Sequence, residues 1–191
     1  MTARLGTALH GALLLARGRP DGLLLILAPP TAEMAVAARS FWAMALCLPA
    51  FLCLHLLDWA DGGMPAEPAR ALMADLLAYV IGWVGFALLS HRLAGGMGRG
   101  DFWPRFITVW NWCNVVQYML LVVAGIPLLL GAPEWLDQTC GLVALGWALW
   151  LEWFAARVAL DVTRLAAFGL VALDIGLGLL LSAVTGAVLP S

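Results

Sequence analysis

The sequence predicts an all-α integral membrane protein, a bundle of five transmembrane helices preceded by short interfacial N-terminal helices. Three observations predict it. Of 191 residues, 63% are hydrophobic and 12% charged, with a mean hydropathy of +0.94, whereas about a quarter of the residues of a soluble domain are charged. Five apolar stretches approach or exceed the roughly 20 residues needed to cross about 30 Å of hydrocarbon. The arginines alternate from one connecting segment to the next, as the positive-inside rule requires.

The N-terminal segment, 1–36, is expected to be cytoplasmic and interfacial. Its apolar pieces, 5–15 and 23–28, are each too short to span and are split by Arg17, Gly18, Arg19, Pro20 and Asp21, so they fit short helices at the interface. Arg17 and Arg19 stand where a small-residue cleavage site would belong, so no cleaved signal peptide is expected. Residues 37–191 form the five-helix domain, with spans at about 38–57, 72–90, 106–130, 140–158 and 166–189. Pro104 fits the first turn of the third helix, and Pro49 and Pro127 are expected to kink the first and third.

All ten basic residues are arginine. Counted by segment, they run four, one, three, none, two, none: Arg4, Arg17, Arg19 and Arg39; Arg70; Arg92, Arg99 and Arg105; and, after an arginine-free loop, Arg157 and Arg164. Five spans with the N-terminus cytoplasmic and the C-terminus periplasmic satisfy this pattern. Trp59 and Trp135 then fall at the outer headgroup level and Trp103 at the inner one. The absence of Lys, with heavy use of Ala, Gly and Leu, points to a GC-rich bacterial genome and hence to a bacterial inner membrane. The net charge of −2 is too small to imply nucleic acid, and none is expected as a partner. The lipid bilayer is the first partner, with a partner membrane protein or a homo-oligomer next.

Polar side chains inside spans are the candidate functional residues, because each costs free energy there unless partnered or neutralised. On the fourth helix Glu152 shares a stripe with Cys140, Ala144, Ala148 and Ala156, and on the fifth Asp174 shares one with Gly178, Ser182 and Gly186. Small residues at that spacing mark close helix approach, so both carboxyls are expected to point inward. At 1.5 Å per residue, Glu152 lies roughly 8 Å from Arg157 and Asp174 roughly 15 Å from Arg164, while Asn111, Asn114 and Gln117 lie roughly 9 to 18 Å from Arg105. The expectation is one buried cluster in the inner half, Asn111, Asn114, Gln117, Glu152 and Asp174, with the asparagines hydrogen-bonding the carboxyls. A separate outer group comprises His55, Asp58 and Asp75. Arg157, Asp161 and Arg164, at i, i+4 and i+7, are expected to line one helical face as a solvated ion-pair ladder, with Arg157 and Arg164 as candidate lipid-headgroup contacts.

No catalytic, cofactor-binding or metal-binding residues are expected. His55 and His91 fall at opposite membrane faces and cannot share a haem. The Gly95, Gly96, Gly98, Gly100 run lacks the Lys of a phosphate-binding loop, and no hydrolase motif occurs. The four cysteines have no Cys-x-x-Cys spacing.

The stretch from Leu89 to Pro127, LSHRLAGGMGRGDFWPRFITVWNWCNVVQYMLLVVAGIP, runs from a helix end through a glycine-rich basic loop and Phe102 to a helix closing on Pro. It resembles the Yip family of small five-span membrane proteins, as does GWALWLEWFAARVAL with Arg164 and the final apolar helix. The resemblance implies a five-helix domain with a cytoplasmic N-terminus. Eukaryotic relatives are associated with small prenylated GTPases and vesicle traffic, but this chain lacks their long cytoplasmic N-terminal region, and the family has no catalytic residues to carry over. The function expected from the sequence is therefore that of a non-enzymatic bacterial inner-membrane scaffold, accessory subunit or lipid-interacting module. The alternative is a transporter or proton- or ion-conducting component built on the carboxylate and Asn cluster. Odd helix number and the lack of an internal repeat place that alternative second.

Overall fold

In a computed structural model describing residues 2–27 and 33–188, one helix is wrapped on every side along part of its length. This helix, Trp103–Ala124, is buried at every position from Phe106 to Cys113. Eight consecutive buried residues cover more than two full turns, so no face is left for lipid. The bundle is assembled around it. In chain order the helices are α1 (Thr2–Leu15), α2 (Gly22–Ile26), α3 (Glu33–Ser40), α4 (Trp42–Gly62), α5 (Pro68–Gly96), α6 (Trp103–Ala124), α7 (Ile126–Leu129), α8 (Glu134–Leu160) and α9 (Arg164–Val188), with a 3-10 turn at Gly100–Phe102.

Five stretches are long and apolar enough to cross a membrane: Met34–Gly62, Pro68–Gly96, Gly100–Leu129, Glu134–Leu160 and Arg164–Ala187. They cover the expected spans to within two residues at the ends of the third and fifth, and start two to six residues before each of the five. Residue 189, the expected end of the fifth span, and residues 1 and 28–32 of the N-terminal segment lie outside the described residues. The first span is interrupted at Phe41, between α3 and α4, while Pro49 lies inside a continuous α4. The third is interrupted at Gly125, two residues before Pro127, as a helical proline dictates. Gly125 also permits close approach: a Cβ there would fall 2.7 Å from the Leu57 side chain of α4.

The N-terminal helices do more than cover the bundle end. α1 buries Ala8, Ala12, Leu15 and Ala16, a stripe at i, i+4, i+7 and i+8, against α6 and α2. The turn between them needs Gly18, whose φ of +74° an L side chain rarely adopts. Gly11 and Gly22 then let the two backbones touch, since a Cβ on Gly22 would overlap the Gly11 carbonyl.

Packing is uneven along the bundle axis. At the end carrying Arg99, Arg105, Arg157 and Arg164, the fully buried residues include Ala94, Phe106, Ala155, Ala159, Leu160 and Ala167. Arg105 locks this end, its Nε and Nη2 donating to the carbonyls of Ala159 (2.6 Å) and Val158 (3.2 Å) in the last turn of α8, which would otherwise lack partners. Beyond Val171, by contrast, α9 has no buried residue among those described.

Gly22→Ala should destabilise the protein by about 1–3 kcal/mol, because the methyl group has no room to enter. Gly6→Ala, with open space around its Cβ position, should be neutral or slightly stabilising. Thermal unfolding in mild detergent compares the two.

Candidate functional site: a polar vestibule between α4, α5, α6 and α9

The sequence places Asn111 beside the carboxyls, but the structure gives it other partners. The Trp83 indole Nε1 of α5 donates to Asn111 Oδ1 (2.7 Å), Asn111 Nδ2 donates to Ser40 Oγ (2.7 Å), and the Ser40 hydroxyl donates to the Ala37 carbonyl (2.7 Å). An indole nitrogen can only donate, so it fixes the amide orientation, and each link then sets the next. Asn114 Nδ2 donates to the Trp110 carbonyl (3.0 Å), within its own helix, and Gln117 Nε2 to the Ala148 carbonyl of α8 (2.8 Å). Neither asparagine makes the expected hydrogen bond to Glu152 or Asp174. Helical spacing reports the depth and face of an amide, but the bonding partner depends on which helix packs there, and α3 and α5 supply it.

Glu152 and Asp174 do come together. On α8, Ala144, Ala148, Glu152 and Ala156 are all buried, so this stripe faces the interior as expected. Glu152 is 4% exposed, and the side chains acting on it electrostatically are Asp174 and Trp110. Glu152 Oε1 and Trp110 Nε1 are both buried without a hydrogen-bond partner among the described residues. The two carboxyls interact, Glu152 from a buried position and Asp174 from a half-buried one.

The stripe on α9 differs from the expectation. Gly178, Ser182 and Gly186 are exposed rather than packed on a neighbouring helix. Asp174, Gly178 and Ser182 instead line a vestibule of about 350 Å³, together with Thr185, Tyr79, Trp83, Trp110, Asn114 and Tyr118. His55 and Asp75 belong to the same lining. The inner carboxyl and the outer group, which the sequence treats as separate, therefore share one cavity. His55 Nε2 lies 3.3 Å from Asp75 Oδ2 and Nδ1 lies 3.0 Å from the Phe51 carbonyl. Both ring nitrogens of His55 face acceptor oxygens. Asp58 is exposed beside this pair.

Sequence reasoning overlooked the aromatic walls. The only tyrosines, Tyr79 and Tyr118, face each other at 6.1 Å between ring centroids, and the Tyr79 hydroxyl donates to the Met44 carbonyl (2.6 Å), joining α5 to α4. Trp83 stands edge-on to Trp110 at 5.3 Å, and Trp110 stacks on Phe86 at 4.4 Å. The available signal was the rarity of Tyr together with its occurrence in mid-span.

The ladder of Arg157, Asp161 and Arg164 does not form. α8 ends at Leu160 and Asp161 takes a left-handed conformation with φ of 51°, which breaks the shared helical face. Asp161 pairs instead with Arg99 (3.5 Å). The Arg157 guanidinium lies over the Trp153 ring at 5.8 Å, and Trp153 Nε1 donates to the Arg164 carbonyl (3.0 Å). Among the described residues, no three His, Cys, Asp or Glu side chains converge to hold a metal ion.

Family models, curated proteins and solved structures compared with this chain give no match. Fold and cavity together define a multi-pass helical membrane protein with a polar vestibule ending on a carboxyl pair.

Asn111→Leu should cost about 1–2 kcal/mol, because it leaves the Trp83 N–H and the Ser40 hydroxyl short of a partner. Asn114→Leu loses only a bond to its own helix and should cost less than about 1 kcal/mol. Denaturation of the two purified variants side by side tests the ranking, which a cluster built around Asn114 would reverse.

Proposed function

We propose that the chain is a non-enzymatic bacterial inner-membrane protein that takes up a proton or a small monovalent cation at Asp174 and Glu152 through the vestibule, acting as an accessory subunit of an ion-handling assembly. The observation that carries this reading is the single cavity running from the His55 and Asp75 pair to Asp174, with Glu152 directly behind it. Polar groups along its wall, from Thr185 and Ser182 to Asn114 and Tyr118, offer a proton or partly hydrated cation successive hydrogen-bonding sites.

The accessory role follows from where the cavity ends. Between Glu152 and the arginine-bearing end stand Ala155, Ala156, Ala159 and Leu160, all fully buried, and this dry layer leaves an ion no continuation within the chain. A second copy or a partner subunit would complete the route. With the N-terminus cytoplasmic and the C-terminus periplasmic, as the arginine alternation and the Yip-family resemblance imply, the vestibule opens to the periplasm. The reading is non-enzymatic because the sequence carries no hydrolase or phosphate-binding motif.

In proteoliposomes, wild-type protein with its copurifying partners should pass protons or Na⁺, and Glu152→Gln with Asp174→Asn should abolish the flux. Unchanged flux in the double variant would exclude this role. In a background lacking the four native cysteines, Ser182→Cys should react with a membrane-impermeant thiol reagent added to the periplasmic side. Labelling only from the cytoplasm would overturn the orientation.

A further inference from the structure

A second and larger cleft, of about 870 Å³, lies between the α1/α2 pair and the α3/α4 span, away from the vestibule. Leu5, Ala8, Leu25, Ile26 and Leu46 make its walls apolar, and Trp112 of α6 contributes to the lining. Such a volume matches a ligand site of about 300–1,000 Å³, but this one opens on the perimeter of the bundle, where Leu46 and Trp42 are largely exposed. In a bilayer, lipid is the medium that meets such an opening, and its acyl chains match an apolar wall.

One residue of the lining does not fit an apolar occupant. Arg39 is the charged side chain there, and it is exposed. Arg19, Arg70 and Arg99 each face a carboxylate, and Arg39 has no carboxylate partner among the described side chains. Arg39 precedes Ser40, which is bonded to Asn111, and Asn111 lies six residues, roughly 9 Å, along α6 from Arg105. A helical side chain leans toward its own N-terminus, which here is the arginine-bearing end, so the Arg39 guanidinium can snorkel to the headgroup level. A guanidinium at that level takes phosphate as a bidentate partner.

We infer that this cleft binds one anionic phospholipid, its phosphate on Arg39 and an acyl chain along the groove between α1/α2 and α4. The site is independent of the vestibule and of any ion it carries, so failure of either reading leaves the other standing.

The test uses the full-length protein, delipidated in mild detergent and titrated with phosphatidylglycerol or phosphatidylcholine of identical tails, with bound lipid counted by native mass spectrometry. Wild type should retain phosphatidylglycerol about fivefold better, the preference expected of one arginine near an anionic lipid. Arg39→Gln should erase the preference while leaving phosphatidylcholine binding, and Arg39→Lys should keep most of it. Ala45→Phe, which fills the cleft from α4, should reduce binding of both lipids and provides a second readout should Arg39→Gln fail to fold. Equal retention of the two lipids by wild type would overturn the inference, as would a preference that survives Arg39→Gln. A preference lost in Arg157→Gln instead would place the headgroup on the α8 end and refute the site. Loss of a dimer in Ala45→Phe, without lipid bound in wild type, would assign the cleft to a second copy.

Discussion

A polar side chain that loses its partner inside hydrocarbon has no water to turn to, and the Asn111 amide occupies such a position for three helices at once. Through it the Trp83 indole on α5 and the Ser40 hydroxyl at the end of α3 are held to α6. Each donor in the run has one acceptor, so the rotation of α5 and the level of the first span relative to α6 are set together. The apolar contacts around it carry more area but less direction, since lipid tails compete for them on nearly equal terms. Position and register come from the amide, and bulk comes from the aromatic and alanine surfaces it brings together. Trp83 is shared between this run and the vestibule wall, so the same bond that fixes the helices also shapes the cavity.

The two ends of the bundle are built on different terms. Arg105 reaches across to the last carbonyls of α8, Arg99 pairs with Asp161, and small residues bring α6, α8 and the start of α9 into contact. Toward the other end bulky aromatic side chains replace alanines. Phe51, Tyr79 and Tyr118 hold the helices further apart, and polar groups occupy the space that results. Side-chain size along the axis is thus sufficient to account for a bundle closed at one end and open at the other.

Much of the architecture was legible in the sequence. The number of spans follows from lengths of apolar stretch, and the inward stripe on α8 follows from alanines at four-residue spacing, because both depend on one helix at a time. What a helix meets across the interface is a property of two helices, and there the reading was incomplete. Asn111 bonds Ser40 and Trp83 rather than a carboxyl, and neither residue gives a local signal of pairing with it. The α9 stripe looked like a packing surface because small residues serve equally to admit a neighbour and to leave a gap. Asp161 was read as helical because its charge fits an i, i+4 pattern. The break at Leu160 depends on a left-handed residue, a role seldom taken by side chains other than Gly, Asn and Asp.

Gly82 and Gly85 give α5 a flat strip on which Leu181 and Leu177 of α9 rest, a Cβ at either glycine falling 3.3 Å from the leucine. The same α5 is tied to α4 by the His55 and Asp75 pair and by the Tyr79 hydroxyl bond to the Met44 carbonyl. One neighbour of α5 is thus held by directional polar bonds and the other by leucine resting on glycine, a contact that sets distance but not direction.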